Sequence, residues 1–254
     1  MIRLVLIGTG KVAQRLYDLW KNNEVVSVVQ VVGRNKIRLS RFGGTATESS
    51  ISNLVEDADI YLLAVPDAAI EEVSRQVTGT GKFIVHTSGT AGIDHLSEKH
   101  RPGVFYPIQT FSRDRPPDLK TVPICIEATR AADLQLLKQL GNTLSERVQE
   151  VTSENRKVIH LAAVFANNFT NHLYHISQEL MDSLPMPREI LQPLIEETAS
   201  KLREISALDA QTGPALRNDE LTIDQHLRIL KNPGHRDIYK LLSNSIRNTH
   251  VEKL

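Results

Sequence analysis

The chain has 254 residues, enough for one large domain or two modest ones at roughly 150 residues per domain, and enough to bury a core without staples. Its 30 basic and 30 acidic side chains cancel, which argues against nonspecific binding to nucleic acid or to an acidic membrane surface. Cys125 is the one cysteine, so a disulfide within the chain and a multi-cysteine zinc or iron–sulfur site are excluded.

The first part alternates strand and helix. Ile2–Ile7 is short, apolar and branched, and reads as a buried strand. Gly8-Thr-Gly10 breaks it, and Val12, Leu16, Leu19 and Trp20 then recur at helical spacing from about Lys11 to Lys21. Val25–Val32 is a second strand, Asn35–Phe42 a short helix ended by Gly43-Gly44, and Asp59–Val65 a third strand stopped by Pro66. Ala68–Val77 reads as a helix. Lys82–His86, Gly103–Pro107 and Val122–Glu127 read as further strands, with Cys125 a small apolar residue inside the last. This alternation predicts an α/β fold, a doubly wound, mostly parallel sheet with helices on both faces.

The character changes near Thr152. Ser153 to about Ser183 carries no Gly or Pro and has a helical apolar period; Pro185 and Pro187 end it. Arg188–Ala207, Thr222–Leu230 and Asp237–Ile246 read as further helices around a polar loop, Asp209–Asp219, that holds Gly213-Pro214. The expected organisation is a dinucleotide-binding domain over 1–150 and an all-helical substrate and dimerisation domain over 151–254. The lack of a linker suggests that the two share a cleft. The longest apolar runs, Ile60–Pro66 and Leu161–Ala166, fall far below the 18 or so residues that span a bilayer, and the N-terminus enters a strand at once. A soluble, cytoplasmic protein with no membrane or nucleic-acid partner is expected.

Gly8-Thr-Gly10-Lys-Val-Ala13 follows a strand and opens a helix, the context in which G-x-G-x-x-A binds a dinucleotide. Gly8 permits the turn, Gly10 lets backbone approach a pyrophosphate, and the helix N-terminus offers N–H groups to phosphate from Thr9, Lys11 and Val12 onward. An NAD site usually places Asp or Glu after the second strand. Here the chain reads Val32-Gly33-Arg34-Asn35-Lys36, then Arg38, with no carboxylate. A guanidinium can fork onto a 2′-phosphate, so Arg34, helped by Asn35 and by Lys36 or Arg38, points to NADP. Val65 and Pro66, and Ser88 within His86-Thr-Ser-Gly89, end later strands and should line the same crevice.

These segments, together with Ala64-Val-Pro-Asp67 and Phe105-Tyr-Pro-Ile-Gln-Thr-Phe111, resemble the N-terminal domain of bacterial Rossmann-like NADP oxidoreductases. Some of those proteins are described as dependent on a deazaflavin coenzyme. His160–Asn168, Thr212–Asp219 and Thr222–His226 resemble their helical partner domain of unknown function. The resemblance covers nearly the whole chain. It implies a helical domain similar to that of 6-phosphogluconate and β-hydroxyacid dehydrogenases, which commonly dimerise. The lysine that those dehydrogenases use, followed three and four residues later by Asn, has no counterpart: Lys157 is followed by His160 and Leu161.

The candidate chemistry therefore rests on other residues. At 100° per residue His160, Val164, Asn167 and Asn171 fall within about 40° of one face, with Asn168 beside them and His172 and His175 continuing the polar stripe. His160 suits proton transfer near neutrality, and His86, at a strand end, has a similar claim. Asn168 joins them as a catalytic candidate. Asn167, Gln109 and Arg217 are candidates for holding a substrate, Arg217 through a carboxylate or phosphate. Tyr106 is as well placed for the core as for the pocket, and Asp219 is the expected cap of the helix after it. No His-Glu-x-x-His or paired cysteine is present, so no metal is expected. The sequence points to an NADP(H)-dependent oxidoreductase that moves hydride to or from a small carbonyl, imine or hydroxy compound. The competing readings are a non-catalytic dinucleotide sensor and hydride exchange between NADP and a deazaflavin.

Overall fold

Residues 1–112 and 117–251 are described by a computed structural model of the chain, which divides into two compact units, Met1–Asn167 and the chain from Asn168 onward. The first unit is built on one eight-stranded sheet. In chain order its elements are β1 (Ile2–Ile7), α1 (Lys11–Trp20), β2 (Val26–Val32), α2 (Lys36–Leu39), β3 (Ala46–Glu48), β4 (Ile60–Leu63), α3 (Ile70–Gln76), β5 (Phe83–His86), β6 (Arg101–Pro107), β7 (Ile124–Ala128), α4 (Ala131–Asn142), β8 (Val148–Glu150) and α5 (Ser153–Ala163). The sheet order is β3-β2-β1-β4-β5-β6-β7-β8, parallel at every pair except β6 with β7. The doubly wound, mostly parallel sheet is thus as the alternation of elements implies.

Because side chains alternate across a strand, β1 feeds two cores. Leu4 and Leu6 pack with Leu16, Tyr17 and Trp20 of α1 and with Leu137 and Leu140 of α4 on one face. Val5 and Ile7 pack with Ile70, Val77 and Leu96 on the other. The indole N–H of Trp20 donates to Thr143 Oγ1 at 2.9 Å, which satisfies its polar atom within the core. Cys125 is buried in β7, and burial pushes its thiol pKa up.

Three elements of this unit are absent from the sequence reading. β3 and β8 have three residues each, too short to show a period, and α4 carries Gly141 in its last turn. That glycine is explained by packing: a Cβ there would lie 2.8 Å from Val148 Cγ2 of β8.

The helix expected over 153–183 is three pieces. α5 gives way to a π-helical turn, Val164–Phe169, before α6 (Thr170–Met181). Hydrogen bonding in a π turn runs i→i+5, so the 100° arithmetic that grouped His160 with Asn167 and Asn171 stops at Val164. In the second unit Arg188–Ala207 is likewise divided: a 3₁₀ turn at Arg188–Leu191, α7 (Gln192–Ser200) and another 3₁₀ turn at Lys201–Arg203. α8 (Glu220–Ile229) and α9 (Pro233–Val251) follow, and Asp219 caps α8 by accepting from Thr222 N at 3.1 Å. No helix among the described residues is long and apolar enough to cross a membrane.

Candidate active site

The turn from β1 into α1 is shaped by close packing. Gly8 has φ +128°, and a Cβ there would lie 2.2 Å from Ala64 O at the end of β4, so only glycine fits. Gly33 is constrained in the same way by Thr9, whose Cγ2 would lie 2.5 Å from an added Cβ. Gly10 is the opposite case, exposed, with nothing within 4 Å of an added Cβ. It is the N-cap of α1 and supplies no side-chain cap, so the first N–H groups of the helix, those of Lys11, Val12 and Ala13, have no capping side chain. A cavity of about 430 Å³ opens there, lined by Thr9, Gly10, Lys11, Gln14, Arg15, Asp18, Arg38, Arg41 and Ser112. A bare helix N-terminus ringed by arginines and a lysine fits a phosphorylated dinucleotide.

Arg34 is exposed and lies outside that lining, whereas Arg38 and Arg41 belong to it. Arg41 was missed by the sequence reading because it follows the turn after β2 by two helical turns. Asn35 uses its side-chain oxygen to cap α2, accepting from Arg38 N at 3.0 Å. Val65 is half-buried and Pro66 exposed just after β4.

The second cluster follows β5. Ser88 Oγ accepts from Thr90 N at 3.0 Å and Ala91 N at 2.9 Å, folding the loop back on itself. Thr90 also donates to Asp67, which follows β4. His86 is fully buried: Nδ1 accepts from Ser88 N at 3.2 Å and Nε2 faces Gly92 O at 3.3 Å. Burial above all, with the nearby Arg156 cation, lowers its pKa to about 4. It stays neutral and holds the loop, with no ring nitrogen left for a substrate.

His160, on α5, is placed differently. Its Nδ1 lies 3.0 Å from Tyr106 Oη, on β6, and the rings meet edge to face with centroids 6.0 Å apart. Gly89 closes against both, since a Cβ there would lie 2.5 Å from His160 Nδ1 and 2.9 Å from Tyr106 Cζ. Among the described residues Nε2 of His160 has no hydrogen-bond partner. Burial raises the Tyr106 pKa, with Cys125 adding to it, so the phenol is protonated at neutral pH.

A buried network fixes this arrangement. Arg156, one turn before His160 on α5, is fully buried and pairs with Glu127 of β7 at 2.5 Å. It also donates to Ala91 O at 2.5 Å and Ser153 Oγ at 3.1 Å. Glu127 accepts from Ser153 N at 3.0 Å and Oγ at 2.7 Å. One carboxylate thus holds the start of α5, and one guanidinium ties that helix to the loop that carries Gly89. The i, i+4 spacing of Arg156 and His160 was the available signal in the sequence.

The remaining candidates are spread out. Gln109 is exposed and its Oε1 accepts from Thr110 N at 2.8 Å. Asn167 is exposed at the end of the first unit. In the second unit Asn168 and Arg217 are exposed, His172 and His175 lie with ring centroids 6.2 Å apart, and His226 Nδ1 lies 2.8 Å from Tyr239 Oη. Among the described residues no group of three or more His, Cys, Asp or Glu could hold a metal ion.

The comparisons agree with this layout. Residues 3–89 match the family described as NADP oxidoreductase, coenzyme F420-dependent, and residues 122–246 match a domain of unknown function. A solved candidate NADP oxidoreductase from Bacteroides fragilis is 36% identical, covers 97% of this chain and 98% of its own, and superposes with a TM-score of 0.87. A protein from Thermotoga maritima is 20% identical, covering 98% of this chain and 99% of its own, with a TM-score of 0.71. A reductive aminase from Aspergillus terreus, solved with NADPH and ethyl-5-oxohexanoate, shares the fold at 12% identity, covering 100% and 94%, with a TM-score of 0.72. No curated protein sequence is significantly similar. The chain belongs to the NADP oxidoreductases in which a Rossmann-like sheet domain is followed by a helical domain of unknown function.

Proposed function

We propose that the protein transfers hydride between NADP(H) and a small carbonyl, imine or hydroxy compound, with His160 as the side chain that serves the substrate's heteroatom. The observation that carries this reading is the Nε2 of His160, which has no hydrogen-bond partner among the described residues, while its Nδ1 is tied to Tyr106 beside the β5 loop. When bound, the reduced nicotinamide supplies a hydride; the protein contributes orientation and a proton. The N-terminus of α1, with Lys11, holds the pyrophosphate, and Arg38 and Arg41, helped by Arg34 just after β2, hold the 2′-phosphate. Val65, Pro66 and Ser88 border the path toward Gly89. Asn167 and Gln109, both exposed in the first unit, offer amides to the substrate.

Calorimetry with NADPH and NADH tests the cofactor assignment. NADPH should bind more tightly, and Arg38→Ala or Arg41→Ala should weaken NADPH roughly 10- to 100-fold while leaving NADH nearly unchanged, as loss of a charge-assisted bond implies. Absence of binding by either nucleotide would end this reading. In a screen of carbonyl and imine substrates, His160→Ala should lower turnover by about 100-fold or more at unchanged NADPH affinity. Turnover only with an added deazaflavin would move the hydride partner to that carrier.

The protein also acts, in this reading, as a homodimer through its helical part. Among the described residues all exposed large hydrophobic side chains except Met1, Val25 and Ile37 lie at or beyond Val158, among them Leu184, Ile190, Leu194, Leu202 and Leu241. Exposed apolar area on this scale is a mark of association.

A further inference from the structure

We propose that Tyr106 is the positioning residue for His160 and the source of the proton that His160 delivers, the imidazole working as a relay between phenol and substrate. This rests on the hydride-transfer reading above. The two side chains are 3.0 Å apart through Oη and Nδ1, and the phenol has no other hydrogen-bond partner among the described residues. A phenol is the stronger donor of the two and an imidazole nitrogen the stronger acceptor, so O–H donates to Nδ1. That leaves the proton of the neutral ring on Nε2, the nitrogen with no partner among the described residues.

The hydride brings both electrons, so the heteroatom of a carbonyl or imine needs one proton. The Nε2–H bond breaks toward that heteroatom as the phenol O–H bond breaks toward Nδ1. The phenolate regains its proton from water, which reaches it because Tyr106 is only half-buried. The charged or titratable groups around the phenol are Cys125 across the β6–β7 pair, Arg156 on α5 and Asp67 after β4. Burial above all, with Cys125 and Asp67, opposes a phenolate, and Arg156 favours it. Gly89 is part of the device, because any side chain there would push the two rings apart.

The first test needs no substrate. In full-length protein labelled with ¹⁵N-histidine, the His160 resonances, identified by their absence in His160→Gln, should show Nδ1 unprotonated and Nε2 protonated at pH 7.5. Tyr106→Phe should collapse that pattern into a mixture of tautomers while NADPH affinity and melting temperature stay near wild type. A protonated Nδ1 in the wild type, or an unaltered pattern in Tyr106→Phe, overturns the proposal. The second test is the pH profile of turnover. Wild-type kcat should stay level through pH 8.5, because a phenol remains protonated there. Tyr106→Phe should lose roughly tenfold at pH 7, less than the hundredfold or more of a missing acid, and its turnover should decline with rising pH where the wild type stays level. A wild-type kcat that declines before pH 8.5 is reached overturns the relay. If His160→Ala turns over normally, the assignment of His160 to the chemistry fails instead, and the tautomer result distinguishes the two failures.

Discussion

His86 shows how one buried side chain makes stability depend on pH. Its folded pKa of about 4 lies below the ordinary imidazole value near 6.5, because burial and Arg156 disfavour the cation. Between those values the unfolded chain binds more protons than the folded one, so stability rises with pH through that window. It is fully present above about pH 6.5 and is lost as the pH falls toward 4. The loss is on the order of 3 kcal/mol at the lower end. His100, whose pKa burial also lowers, adds to it in the same direction. Urea denaturation at pH 5 and pH 7.5 should therefore show a drop for the wild type that is much reduced in His86→Gln. Equal drops in both proteins would assign the pH dependence to other groups. The sequence placed His86 at a strand end beside Ser88, which is correct as a location, but burial is a tertiary property that no local spacing reveals. Gly89 is silent in the sequence for the same reason, since its neighbours Tyr106 and His160 are 17 and 71 positions away.

At the scale of an element, α5 is set in place by charge. Its N-terminus is capped by Thr152, and Glu127 reaches both Ser153 and Arg156 from β7. Breaking a buried ion pair by removing one partner leaves an uncompensated charge and costs about 3–5 kcal/mol, whereas replacing both partners can be nearly neutral. Glu127→Ala should thus destabilise the protein by that amount in urea denaturation, and Arg156→Met in the Glu127→Leu background should recover much of it. A Glu127→Ala loss below about 1 kcal/mol would mean that the pair does not anchor the helix. The βα alternation and the glycine-rich turn were legible because they rest on local period and on backbone demands. The network was not, because Arg156 reads as one more polar residue on a helix face until the sheet brings Glu127 beneath it. The π turn at Val164–Phe169 was equally hidden, since Ser153–Ser183 lacks any Gly or Pro to signal it.

For the whole molecule, the two units differ in how much apolar surface they hide. Unit one carries both hydrophobic clusters, while beyond Asn168 the buried apolar residues are Ala215, Ile223 and Leu230 among those described. Association through the helical part should appear in light scattering as twice the mass of the 28.4 kDa chain. Leu194→Glu combined with Leu241→Glu should shift that mass toward the monomer. A monomer at micromolar wild-type concentration would exclude the dimer. Composition and charge said nothing about this surface, because apolar residues on a helix look alike in sequence whether they face a core or a partner.

Trp20 is the only tryptophan, and it sits fully buried in unit one, 5.9 Å from the Phe105 ring with its indole N–H held by Thr143. Intrinsic fluorescence excited in the indole band is therefore a gauge of the sheet unit alone, blind to residues 168–251. Ellipticity in the far ultraviolet draws on helices of both units. The two optical signals coincide during denaturation only when the units lose structure together, so this one indole gives the chain a built-in means of separating their melting.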